Sequence, residues 1–141
     1  AANTKVLDNI VGELTKRGFE VIVNDGNNRV KGSTLKYRQE VDAALVFADV
    51  VGYGAENNYR IRWKQAMSNE CPWYVHEVPT VFVSVNYTTH LHDATMVKCY
   101  INAYHSNPEI IKQVVDKIMG ESEFKGIPND LVWAKKWQAK L

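Results

Sequence analysis

Two histidines and an aspartate fall within four residues, His90-Leu91-His92-Asp93, just after the apolar run Val81-Phe82-Val83-Ser84-Val85 and the polar Asn86-Tyr87-Thr88-Thr89. Imidazole and carboxylate groups are the ligand types of a transition-metal site. In extended backbone, residues two apart point to the same side, which would set His90 and His92 together. Asp93 would then be a ligand or the partner that orients a ligating imidazole. No third ligand follows at motif spacing, so no metal is expected. The competing reading is a partly exposed loop between two strands, with Leu91 tucked into the core.

In a parallel sheet, the loops after strand C-terminal ends share one edge, and such folds bind ligands there. That edge would gather Asn24, Asp25, Tyr53, Glu56, Asn86, His90, His92 and His105, with Asp93 beside His92. Of these, Asn86, His90, His92, Asp93, Tyr53 and Glu56 are the candidates for lying near a substrate.

Other motifs carry less chemistry. Gly52-Tyr53-Gly54-Ala55-Glu56-Asn57 matches part of a dinucleotide fingerprint. Asn57 stands where the third glycine allows close helix packing, and no clear helix opens there, so a glycine-permitted loop is expected. Ser84 is outside any G-x-S-x-G elbow, and no Walker loop is present. A phosphoacceptor domain could use Asp25, but the strand at 80–85 runs into Asn86 where that class places a lysine. Arg60, Arg62, Trp63, Trp73 and Tyr74 mix cations with aromatic rings, a pairing that stacks on sugars or simply packs an irregular segment. Asn86-Tyr87-Thr88 is a glycosylation sequon, relevant only in a eukaryotic secretory protein.

The elements that must position these residues follow from hydrophobic period. Val6, Leu7, Ile10, Val11 and Leu14 share one face of a helix over 4–17, closed by Gly18. A strand is expected at 19–23, ending in the turn-rich Asn24-Asp25-Gly26-Asn27-Asn28. A short helix follows from Ser33 or Thr34 to about Glu40. The runs Ala43–Ala48 and Thr80–Val85 are apolar without a break, as strands covered on both faces must be. A third, alternating strand is expected at 97–104. Ser106-Asn107-Pro108-Glu109 reads as a capping box before a helix with Ile110, Ile111, Val114, Val115, Ile118 and Met119 inward, stopped by Gly120.

Helix–strand alternation predicts a single α/β domain over 1–141, a three-layer α/β/α sandwich with a mostly parallel sheet. The connection from Val85 to Val97 is about the minimum for a parallel crossover. If it fails, the third strand is antiparallel.

The 141 residues suffice for one domain with a sizeable core. Seventeen basic against sixteen acidic residues leave a net charge of +1, so no broad field points to nucleic acid or an anionic membrane. No run reaches the ~20 apolar residues of a membrane span. Cys71 and Cys99 make no disulfide framework, and Cys99, inside a strand pattern, is expected to pack as a small hydrophobe. The first residues, Ala1-Ala2-Asn3-Thr4-Lys5, lack a signal-peptide layout and run at once into the first helix. The compartment is left open, and the chain is expected to be a piece of something longer.

The second half resembles the C-terminal α/β domain of glycoside hydrolase family 3. The resemblance lies in Glu77-Val78-Pro79-Thr80-Val81-Phe82-Val83-Ser84-Val85-Asn86-Tyr87, His90-Leu91-His92-Asp93 and Met96-Val97-Lys98-Cys99-Tyr100-Ile101-Asn102-Ala103-Tyr104. It continues through Pro108-Glu109-Ile110-Ile111, Ile118-Met119-Gly120 and Ser122-Glu123-Phe124-Lys125-Gly126. It covers roughly residues 40–141, and the tail 132–141 resembles a natural C-terminus of that family.

The resemblance implies a parent that removes β-linked glucose or N-acetylglucosamine with retention. Its nucleophile lies on an N-terminal (β/α)8 barrel, for which 141 residues are too few against the ~250 needed. That barrel would be the partner, and the carbohydrate would be met through it. In glucosidase-like members a glutamate of this domain serves as acid/base; Glu56, Glu70 and Glu77 are the candidates by region, and none sits in a matching motif. In glucosaminidase-like members a His–Asp pair on the barrel does that work, and the stretch 80–104 is closer to this group. No catalytic residue and no cofactor are therefore expected in the chain. The alternative is a stand-alone module binding a sugar or another small ligand.

Overall fold

The computed structural model describes residues 4–23, 39–49, 75 and 78–127, with the side chains of Thr88, Thr89 and His92 outside that description. The described elements are helix α1 (Thr4–Lys16), strand β1 (Ala44–Ala48), strand β2 (Thr80–Ser84), a 3-10 helix (Thr88–Asp93), strand β3 (Cys99–Asn102) and helix α2 (Pro108–Ile118).

The three strands form one sheet in the order β1-β2-β3. Both pairings are parallel, with Ala44 opposite Thr80 and Val81 opposite Cys99. The short crossover therefore succeeds, because one 3-10 helix is enough to carry the chain back between β2 and β3. This is the α/β fold with a parallel sheet that the pattern predicts.

Period-2 alternation of apolar runs gives the sheet two greasy faces. Leu45, Phe47, Val81, Val83 and Ile101 pack with Val6, Ile10 and Leu14 of α1 and Ile111, Val114 and Val115 of α2. Val46, Ala48, Phe82 and Tyr100 gather on the opposite side with Ala94 and Val97. Phe82 and Ile111 are fully buried, each a gain of roughly 1.5–3 kcal/mol over exposure. The Phe82 and Tyr100 rings stack across neighbouring strands, centroids 5.3 Å apart and 8° from parallel.

Both helices end in the same motif. Gly18 has φ 87°, the Gly18 N–H donates to Thr15 O at 3.0 Å and the Phe19 N–H to Leu14 O at 3.2 Å. Gly120, with φ 74°, repeats this with Lys117 O at 3.1 Å and Glu121 N–H to Asp116 O at 2.8 Å. These left-handed caps satisfy the last carbonyls of each helix. At the start of α2 the cap is Asn107, whose side chain accepts from the Ile110 N–H at 2.8 Å, with Pro108 in the first turn. The expected capping box from Ser106 is thus displaced by one residue, since Asn is as good a cap as Ser and is the residue directly before the proline.

Three other expectations are corrected. Residues 19–23 form no strand: Phe19, Ile22 and Val23 are exposed, and Val21 alone packs on the core. Cys99 is exposed, standing at the first residue of β3. Met119, the C-cap residue of α2, is exposed too, since the chain is already turning away there. Of the helix expected before Glu40, Gln39 and Glu40 are helical and the rest lies outside the described residues.

Candidate functional site

The carboxyl ends of β1, β2 and β3 lie side by side, because the strands are parallel and in register there: Ala48 pairs with Ser84, and Ser84 with Asn102. Asp49 follows β1 and is buried. Asn86, two residues past β2, donates from its amide nitrogen to an Asp49 carboxylate oxygen. This contact ties the two loops and gives a buried carboxylate a hydrogen-bond partner, without which its burial would be costly.

Ser84, 1% exposed, donates its hydroxyl proton to the Tyr87 carbonyl. Its oxygen lies 2.7 Å from His90 Nδ1. With the serine proton engaged, the imidazole must supply the hydrogen of that contact, so Nδ1 carries it. His90 is fully buried, and its ring meets Tyr87 edge-on at 5.8 Å. The serine–histidine distance is that of an activated nucleophile, yet the site cannot work so. The hydroxyl is sealed from solvent and its proton points at a backbone carbonyl. The pair is a latch holding the 3-10 helix against the end of β2.

Tyr100 and Asn102 stand beside Ser84 on β3. The Tyr100 hydroxyl and Asn102 Oδ1 are buried, and among the described residues neither meets a partner at good hydrogen-bond geometry. Burial pushes the Tyr100 hydroxyl up from its ordinary value, and the nearby Ser84 side chain and Leu91 backbone only partly oppose it.

The site residues named from sequence divide accordingly. Asn86 and Asp93 are half-buried in the connection after β2. His90 lies inside and Leu91 is only half-buried, the reverse of the expected loop. The backbone at 88–93 is 3-10 helical rather than extended, so residues two apart do not share a side. Tyr53 and Glu56 lie outside the described residues, as do Asn24, Asp25, Glu70, Glu77 and the cation–aromatic stretch from Arg60 to Tyr74, and the side chain of His92. Among the described residues, no group of three or more His, Cys, Asp and Glu could hold a metal ion. Nor is any helix there long and apolar enough to cross a membrane.

Asp49, Tyr100 and Asn102 were not singled out from sequence. Asp49 had a signal, since an acid directly after an unbroken apolar strand falls on the ligand-binding edge of a parallel sheet.

No family model matches the chain. A β-N-acetylglucosaminidase/β-glucosidase of Cellulomonas fimi is 27% identical over 143 aligned positions, 99% of this chain but 25% of that protein. Two solved structures of β-glucoside phosphorylase BglX, one of them bound to 2FGlc, superpose with a TM-score of 0.70 at 30% identity. They cover 86% of this chain and 22% of theirs. The chain thus spans about a quarter of the length of these relatives, and the likeness of its second half to the C-terminal α/β domain of the family 3 glycoside hydrolases is borne out in both sequence and fold.

Proposed function

We propose that this chain is the accessory α/β domain of a family 3 glycoside hydrolase-type protein that acts on terminal β-linked sugars, β-N-acetylglucosaminides or β-glucosides. The observation that carries this reading is the match over nearly the whole chain to a quarter of a glucosaminidase/glucosidase. The domain packs on a (β/α)8 barrel of the same parent, which holds the nucleophile. Its carboxyl edge, with Asn86 and Asp93, is the part nearest the sugar, and Tyr53 and Glu56 are the further candidates for meeting it. His90 contributes from within, by fixing the loop that carries Asn86 and Asp93.

Retaining hydrolysis needs two groups flanking the bond, with carboxyl pairs about 5 Å apart. In this reading the domain supplies at most one of them. Nitrophenyl β-glucosides and β-N-acetylglucosaminides incubated with the chain should therefore give no turnover. Turnover that disappears when one of its own carboxylates is neutralised would sink the proposal. The parent should cleave at least one of these substrates. Because one set of relatives is named as a phosphorylase, the parent's assay is run with and without inorganic phosphate.

A further inference from the structure

Tyr104 has φ 64° and is the non-glycine residue with positive φ among those described. The hydrogen bond that spans it runs from the His105 N–H to Ala103 O at 2.8 Å. A bond between residues two apart, with a positive φ at the centre, is the rare and strained form of γ-turn. Bulky side chains seldom enter this region, and strain of this kind persists where the surroundings enforce it and gathers at functional sites. The enforcement is visible on the N-terminal side, where the Ala103 N–H donates to Ser84 O at 2.8 Å. On the C-terminal side the Asn107 N–H donates to His105 Nδ1 at 3.0 Å, just before α2 begins.

The turn sits one residue past the carboxyl edge of β3, beside Ser84, and Tyr104 is 54% exposed there. An aromatic ring left half in water gains little by burial, so packing does not explain the strain. His105 is exposed too. Its Nδ1 accepts a backbone proton, so the neutral ring carries its hydrogen on Nε2. An exposed aromatic ring on a constrained backbone, next in the chain to an oriented N–H donor, matches the chemistry of a pyranose, with an apolar face of C–H groups rimmed by hydroxyls.

We infer that Tyr104 and His105 form a saccharide-contacting element at the carboxyl edge, the Tyr104 ring stacking on a sugar and His105 Nε2–H donating to one of its hydroxyls. The inference rests on the carbohydrate reading above and assigns it to residues that the sequence resemblance leaves without a role. Cellobiose and diacetylchitobiose titrated into the chain should shift the Tyr104 ring resonances in a saturable way. Measured by calorimetry, Tyr104→Phe should keep the affinity, and Tyr104→Gly should weaken it about tenfold, the order expected of one aromatic contact. Tyr104→Gly should also raise the thermal midpoint, because glycine adopts the turn without strain. Unmoved ring resonances in the unaltered chain, an undiminished affinity in Tyr104→Gly, or a lowered midpoint in that variant would each overturn the assignment. Such a failure leaves the carbohydrate reading standing, since that reading is decided by the parent's action on nitrophenyl glycosides.

Discussion

Ser84 makes two contacts through one hydroxyl, to the Tyr87 carbonyl and to His90 Nδ1. Ser84→Ala takes that hydroxyl from a buried imidazole and a part-buried carbonyl, and should lower stability in urea by about 1–3 kcal/mol. Combining it with His90→Leu removes the imidazole that Ser84 meets as well, so the double variant should lose less than the sum of the two single changes. A double-mutant cycle reads that difference. This corner of the molecule was only partly legible beforehand. Apolar-inside reasoning puts Leu91 in the core and His90 out, because it prices a histidine without knowing its partner. Ser84 is that partner, and it is supplied by a strand six residues earlier. A spacing of that kind carries no motif, so only the folded chain pairs them. Asn86, by contrast, was found from its place after an apolar strand, and Asp49 could have been found by the same rule.

The helices were legible because their apolar residues recur every three or four positions and their ends carry Pro108, Gly18 and Gly120. What the period does not encode is how α1 and α2 meet. Arg17 at the end of α1 reaches Asp116 of α2, and also binds Glu13 at 2.8 Å and approaches Glu121 at 3.7 Å. Lys112 pairs with Asp116 at 2.9 Å, and Lys16 with Glu13 at 2.8 Å. The Asp116 carboxyl is held below its ordinary value by Lys112 and then Arg17, and that of Glu13 by Lys16 and then Arg17. Carboxylates depressed in the folded state stabilise it above their ordinary values and lose that contribution as the pH falls through the folded ones. Thermal midpoints should therefore drop on acidification below the ordinary carboxylate range. Arg17→Met should flatten that part of the profile, and salt should blunt it. The glycines offer a second test at this scale. Gly12 lies inside α1 with nothing near an added Cβ, so Gly12→Ala should stabilise by about 0.5–1 kcal/mol. Gly18 has equal room but a φ of 87°, so Gly18→Ala should cost about 1–2 kcal/mol. Opposite signs from one substitution, measured by denaturant melts, would separate backbone conformation from packing.

For the molecule as a whole, the α/β class was readable because two strands are apolar on both faces and such strands must be covered twice. The strand expected at 19–23 failed on the same logic: its alternation resembles that of a strand, but among the described residues no neighbour takes up its hydrogen bonds. The parallel register has a kinetic corollary. Ala44 meets Thr80, whereas Val81 meets Cys99, so the second pairing closes a loop half as long as the first. Halving a flexible loop saves about 0.6 kcal/mol of closure entropy, and here the shorter loop is also pinned by its own 3-10 helix. The β2–β3 unit should nucleate folding and β1 should join late. Stopped-flow refolding of Ile101→Val, set against Leu45→Ala, checks this: the β3 change should slow folding, and the β1 change should chiefly hasten unfolding. The connection that first drew attention for its histidines would then be the seed on which the sheet grows.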